Sequence, residues 1–267
     1  MFRSLAQNRG LILSLIQREV AMRYKGSFIG LGWYVVNNLV MLLIYTVVFG
    51  SIFNVRWPST STARDTPTIA TFALMLFAGL IVYNIAAECL VRAPTLILSN
   101  VNYVKKVVFP LEALPVVSLG VALFNAAIGL LVLVVMAVMV GSPPAATAIL
   151  APLVILPLLP LILGLSWFLA SAGVYIRDIA QVVALLTNIL LFLSPIFYPK
   201  SAMPGMLRVV VIVNPITVPV EELRRVMFEG VMPDWLSLAI LTAAGLCVAA
   251  LGYFWFEKTK RGFGDVL

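Results

Sequence analysis

Apolar residues run in six long blocks along the chain, separated by stretches where charge, proline and glycine collect. The blocks cover about Leu31 to Phe53, Thr68 to Ala87, Leu114 to Val140, Ile149 to Val174, Ile179 to Phe197 and Leu236 to Phe256. A helix needs roughly 20 mainly apolar residues to cross about 30 Å of hydrocarbon. The runs are continuous, whereas barrel strands alternate over about ten residues. The pattern therefore predicts an all-α integral membrane protein with six transmembrane helices. Pro152, Pro157 and Pro160 fall in the first half of the fourth block and predict a kink there.

Residues 1–27 follow another pattern. Leu11, Ile12, Leu15, Ile16 and Val20 recur at helical spacing, opposite Gln17, Arg18 and Arg23. This predicts an amphipathic interface helix in the headgroup plane, its basic residues towards anionic lipid; packing on protein is the compatible alternative. Arg3, Arg9, Arg18, Arg23 and Lys25 are spread along the segment, unlike a cleavable signal peptide. Two connections exceed what a hairpin needs, residues 92–112 and about Tyr198 to Pro233. In the second, Met206–Val213 and Val218–Phe228 have helical patterns, parted by Asn214-Pro215 and Pro219. They are expected to be short re-entrant external helices dipping into the outer leaflet. The organisation is one transmembrane domain over 1–267, with an interface helix at 1–27, the bundle at 28–256 and a tail at 257–267.

Composition strengthens the membrane reading. Of 267 residues 62% are apolar and 11% charged, and the mean hydropathy is +1.08, far from a soluble domain. The chain has no histidine, and Cys89 and Cys247 lie in or beside apolar runs. Histidine triads, zinc sites and a disulfide framework are thereby excluded, leaving no catalytic or metal-binding residues to name. The net charge of +7 comes from basic residues flanking apolar blocks, which fits membrane lipid and not nucleic acid. With the amino terminus inside, the cytoplasmic segments collect twelve of the 18 lysines and arginines. Arg92, Lys105, Lys106, Arg177, Lys258, Lys260 and Arg261 are among them, so both termini are expected to be cytoplasmic.

No G-x-x-x-x-G-K-[ST] loop occurs, and Gly30-Leu31-Gly32-Trp33 lacks the further glycine of a dinucleotide loop. Transport against a gradient then needs an outside source of energy. Gradient-driven carriers show ionisable residues mid-span and repeated halves. Here Glu88 stands at the inner end of the second block and no repeat is evident. An external motor is favoured.

Between residues 17 and 49 the chain carries Gln17-Arg18-Glu19-Val20, Arg23-Tyr24-Lys25-Gly26-Ser27, Leu31-Gly32-Trp33 and Tyr45-Thr46-Val47-Val48-Phe49. Later come Tyr103-Val104-Lys105-Lys106 with Phe109-Pro110, Tyr175-Ile176-Arg177-Asp178, Ser194-Pro195-Ile196-Phe197-Tyr198, and the tail from Phe254 to Leu267. Together these resemble the permease subunits of polysaccharide ABC exporters, nearest the O-antigen branch, with teichoic acid and capsule permeases further off. The resemblance implies a homodimer paired with two copies of a separate ATPase, which binds the ATP and magnesium, so this chain needs no cofactor. It implies a cargo of undecaprenyl-linked polysaccharide and a place in the bacterial inner membrane.

The same residues have a physical reading. A membrane subunit driven by a cytoplasmic ATPase needs a rigid element projecting inward, and residues 99–109 supply one. Asn102 lies in its polar start, Tyr103 offers an anchor, and Lys105 and Lys106 suit an acidic rim. The resemblance assigns it as a coupling helix; the two lysines equally suit the positive-inside rule. Arg177-Asp178, on a tight inner turn, suits a salt bridge capping the fifth helix through Asp178, or a second ATPase contact. For the cargo, Trp33, Tyr34, Asn37, Asn38 and Tyr45 fall near one face of the first span. Tyr83, Asn84 and Glu88 lie within about one and a half turns of the second. Aromatic rings and amides offer a sugar chain many weak contacts. An interfacial belt and bonds between helices are the alternatives.

Two rivals remain. A permease for drugs or lipids would share fold and motor. A membrane glycan transferase would need convergent carboxylates or a histidine, and Glu221, Glu222 and Glu229 alternate with basic residues as a solvated face would.

Overall fold

The computed structural model describes residues 8–24, 30, 32–48, 69–105, 109–199 and 205–267, whose regular structure is entirely helical. Helix α1 spans Arg9–Tyr24 and α2 spans Gly32–Tyr45, the latter running on through a π turn to Val48. Helix α3 is Ile69–Leu96; after a 3-10 turn at Leu98–Asn100 comes α4, Val101–Lys105. Helix α5 is Ala113–Met139, α6 is Ala146–Tyr175 and α7 is Ile179–Leu193. Two short helices follow, α8 at Gly205–Val213 and α9 at Thr217–Arg224, the second extended by a π turn over Arg225–Glu229. Helix α10, Trp235–Thr259, leads into a tail made of a 3-10 turn, Lys260–Gly262, and a last turn of helix, Phe263–Val266.

Four of these are long and apolar enough to cross a membrane: α3, α5, α6, and α10 with its tail, at 28, 27, 30 and 32 residues. Helix α2 and the 15-residue α7 are apolar but shorter. At 1.5 Å per residue α7 is about 22 Å long, less than the hydrocarbon thickness.

The bundle is held by close approach of small residues. A Cβ on Gly252 would lie 2.0 Å from the Gly164 carbonyl oxygen, so α10 and α6 touch backbone to backbone. A Cβ on Gly173 would lie 2.1 Å from the Pro94 oxygen, which brings α6 equally close to α3. Such contacts suit a setting where dispersion, not water exclusion, drives helix association. Trp167, fully buried, donates its indole N–H to the Glu112 carbonyl at 3.0 Å and ties α6 to the start of α5.

The proline-rich first half of α6 breaks into two 3-10 turns, Ala146–Leu150 and Leu156–Leu158, around a short α segment. The ends of α3 and α10 lie further out than hydropathy places them. Helix α3 continues nine residues past Ala87 with Pro94 inside it, because Arg92 is neutralised within the fold by Glu19 of α1. Helix α10 continues to Thr259, and its tail folds back to bury Phe263 against Phe256, their rings 5.7 Å apart. Asp234 caps α10 by accepting from the Leu236 N–H at 3.1 Å and the Ser237 hydroxyl at 2.6 Å. The Ser237 bond holds this carboxyl below its usual range.

Helix α1 packs on protein. Ile12 and Leu15 are buried against Ala113 and Val117 of α5, while Leu11, Leu13 and Met22 stay exposed. Helix α1 thus turns Ile12 and Leu15 to protein and leaves its other side open.

Candidate functional site

Helix α1 and the tail both reach α4 at one end of the bundle, where charge is paired across helices. Glu88, one turn above Arg92 in α3, forms an ion pair with Arg23 of α1 and accepts from the Asn125 amide of α5 at 2.9 Å. Arg92 pairs with Glu19 of α1. These two bridges hold α1 along α3, and the bonded amide makes Glu88 a three-helix junction. The extra hydrogen bond from Asn125 helps to offset the partial desolvation of this half-buried pair. Between α1, α3 and residues 99–103 lies a cleft of ≈ 270 Å³, with Arg18, Glu19, Arg92 and Asn100 among its walls.

The element expected to project inward is present but folded against its own chain. The Tyr103 hydroxyl accepts from Arg18 at 2.7 Å, and its ring stacks on Phe109 with centroids 4.5 Å apart. Lys105 donates to the main-chain oxygen of Leu267 in the tail. Asn102 and Lys105 are exposed, and Lys106 lies outside the described residues. Arg177 and Asp178 are exposed on the turn between α6 and α7. Asp178 occupies the N-cap of α7, but its side chain accepts no capping hydrogen bond, so the carboxylate cap expected there is absent. The turn is held by main-chain bonds from Gln181 and Val182 to the Asp178 carbonyl, at 3.0 and 3.2 Å.

The eight residues expected to face a cargo separate into three groups. Trp33 and Asn37 are exposed on α2 and Asn38 is half-buried, while the Tyr34 side chain lies outside the described residues. Tyr45 and Tyr83 face the protein. Tyr45 meets Phe197 edge-on at 5.1 Å, and Tyr83 is buried with its hydroxyl donating to the Thr187 carbonyl at 2.9 Å. Asn84 is half-buried in α3, and Glu88 belongs to the ion pair already described. The first and second spans therefore do not present one joint stripe.

At the opposite end the structure corrects the solvated face expected of residues 221–229. Glu222 is 6% and Arg224 3% exposed. Glu222 accepts from Arg225 at 2.8 Å and from the Asp234 N–H at 2.9 Å, and the first bond raises the Arg225 guanidinium above its ordinary value. Arg224 donates to three carbonyls, Met75 at 2.8 Å, Pro195 at 2.6 Å and Ile196 at 3.0 Å. Its guanidinium keeps its charge, which these three carbonyls solvate in place of water. Alternating charge on a short helix gives no sign of which residue turns inward. The available signal was helical spacing, since Arg224 stands four residues after Val220 and three before Met227, both buried.

Among the described residues no cluster of three histidine, cysteine, aspartate or glutamate side chains could hold a metal. What the arrangement offers is two ends fixed by charge and an apolar body between them, the form of a membrane-embedded bundle.

Comparison with known proteins agrees with that form. The chain is similar over 267 residues, 99% of its own length and 98% of the relative's, to an O-antigen export system permease protein RfbA of Myxococcus xanthus, at 26% identity. Two permeases of the same name from Klebsiella pneumoniae are 22% and 21% identical over 258 residues, covering 96% of this chain and 95% of each relative. The profile of the ABC-2 type transporter family matches residues 10–228, most of the described bundle, and this chain belongs to that family of transporter membrane subunits.

Proposed function

We propose that this chain is the transmembrane subunit of an ABC exporter that moves lipid-linked O-antigen polysaccharide across the bacterial inner membrane. The observation that carries the reading is similarity to permeases named for O-antigen export over 99% and 96% of this chain. Six helices cross the membrane in this reading, the shorter α2 and α7 completing the four long ones, and both termini are cytoplasmic. Two copies form the conduit, and two copies of a separate ATPase bind ATP and magnesium. Helix α1 lies at the inner headgroup level, and α8 and α9 are re-entrant helices that gate the outer end.

The paired charges give the coupling a physical form. A push on residues 98–105 reaches α1 through the Tyr103–Arg18 bond and reaches α3 through the Glu19–Arg92 and Glu88–Arg23 bridges. Asn102, Lys105, Lys106, Arg177 and Asp178 supply the surface that meets the ATPase. Trp33, Tyr34, Asn37, Asn38 and Asn84 supply weak contacts along the path.

The test is reconstitution with the partner ATPase in proteoliposomes. Undecaprenyl-linked polysaccharide should stimulate ATP hydrolysis, and drugs or simple phospholipids should not; the reverse pattern would assign another cargo. Alanine at Tyr103, Lys105 and Lys106 together should lower the stimulated rate severalfold with the basal rate of the ATPase intact. An unchanged stimulated rate would remove the coupling assignment.

A further inference from the structure

The two short helices proposed to gate the outer end are held in opposite ways. Helix α9 and its π turn bury Val220, Leu223, Val226 and Met227 in the core. Arg224 binds α3 through the Met75 carbonyl and the turn after α7 through the Pro195 and Ile196 carbonyls. A Cβ on Gly79 would stand 2.8 Å from Nη2 of Arg224, so α3 is cut away to admit the guanidinium. Glu222 binds the Asp234 N–H at the start of α10. Thr147 donates to the Val226 carbonyl at 2.7 Å, and the Ala145 N–H to the Met227 carbonyl at 2.9 Å, which adds the start of α6. Moving α9 would strip a buried cation of its acceptors, at a cost that holds the native arrangement in place.

Among the described residues helix α8 is held less firmly. Among its described side chains only Val211 is buried, and Val209, Ile212 and Val213 are 60%, 56% and 75% exposed. Among the described residues its polar ties sit at one end: Asn214 donates to the Leu193 carbonyl at 3.2 Å and the Ser194 hydroxyl at 2.9 Å, and Thr217 donates to the Val211 carbonyl at 2.5 Å. Towards α7 it meets an open apolar groove lined by Leu190, Leu193, Val209, Val210 and Val213. Sliding across such a groove exchanges one apolar contact for another, and loop residues at an element's end commonly absorb a hinge rotation.

We infer that the pair divides the work of the gate: α9 is a fixed clamp pinned by Arg224, and α8 is the flap, turning about Asn214-Pro215 to open and close the outer end. The inference rests on the exporter reading, and the experiment separates the two. In a chain carrying Cys89→Ala and Cys247→Ala, Ala145→Cys with Gly230→Cys ties the end of the π turn to the start of α6. A Cβ on Gly230 lies 3.5 Å from that of Ala145, within disulfide range. Leu190→Cys with Val210→Cys, joined by a short bis-methanethiosulfonate, ties α8 across its groove to α7.

Each variant is assembled with the partner ATPase, and export of labelled lipid-linked polymer is read before and after reductant. The first pair, cross-linked, should export within twofold of its reduced form. The second should fall at least tenfold and recover on reduction. Loss in the first pair that reduction restores would show that α9 moves, and full export by the second would show that α8 does not; either overturns the inference. If the reduced variants and the parent export nothing, the exporter reading falls and the flap with it. Gly230 has a positive φ of 69°, so the first pair can fail to fold. Spin labels then replace it: nucleotide should change the distance between Ile212→Cys and Leu236→Cys and leave that between Ile149→Cys and Val231→Cys fixed. A change in the second distance, or none in the first, overturns the inference.

Discussion

Helices α3, α5, α6 and α10 form one half of the molecule and α2 and α7 the other, and the two are built on different terms. In the first half helices approach to backbone contact at Gly164, Gly173 and Gly252, and α3 is buried along most of its length. In the second, α2 buries Leu42 alone among its described side chains, and α7 buries only Val183 and Thr187. Exposed leucine says little in a membrane, since lipid tails are as apolar as leucine. Exposed amides say more: Asn37 on α2 and Asn188 on α7 stand on open faces of otherwise apolar helices. A polar side chain in a spanning helix normally faces protein or a water-filled path. The first half finds its closest backbone contacts within one chain, whereas the amides of the second are left for a neighbour or a conduit to meet.

The largest expected effect strikes the packed half. Gly252→Leu would push a Cβ into the Gly164 carbonyl, an obstacle no rotamer avoids. Size-exclusion chromatography in detergent should show aggregate in place of a single peak, and a normal peak would mean that α6 and α10 are not so closely joined. Arg224→Met comes next. It leaves the carbonyls of Met75, Pro195 and Ile196 without their charged donor, a loss of about 3 kcal/mol at the scale of charged hydrogen bonds. The melting temperature should drop clearly, and less with Arg224→Lys. Equal melting for all three proteins would release α9 from its role as an anchor.

Glu88→Gln stands between the halves. Its ion pair with Arg23 is partly exposed, with side chains 18% and 31% accessible, so the stability loss should be about 1 kcal/mol. The informative readout is hydrogen exchange over residues 9–24, which should quicken as α1 loses its upper tether. Unchanged exchange would mean that Ile12, Leu15, the Glu19–Arg92 bridge and the Arg18–Tyr103 bond hold α1 without it. Export falling far more than stability would assign Glu88 to the cargo as well.

The order of the four long apolar helices was legible because a run of about 20 apolar residues has few other stable fates. The prolines of α6 and the Asn214-Pro215 break between α8 and α9 were legible for the same local reason. Helix ends were not. Arg92 and Pro94 read as signals to stop, and α3 passes through both because Glu19, 73 positions away, supplies the countercharge. The Arg23–Glu88 bridge had both partners in view, but hydropathy carries no pairing information across that separation. The largest miss lies at residues 221–225, where alternating signs suggested solvent on all sides and packing turned Glu222 and Arg224 inward. Tyr103 shows the same limit: the sequence identified the residue, while its direction depends on Arg18 and Phe109.

The smallest effect on the stability of one chain is expected on the open face of α7, and it sharpens the comparison most. Leu185 and Leu186 are 61% and 57% exposed, so Leu185→Ala with Leu186→Ala should change the melting of a single subunit by no more than about 0.5 kcal/mol. If a second copy covers this face, as the homodimer reading requires, differently tagged copies should co-purify less well and export should fall with them. If the face meets only lipid, both should stay at the parent level. The paired readouts matter because a change confined to melting would place these leucines in the packed half after all. Loss of co-purification without loss of melting would be the signature of a surface finished by another molecule.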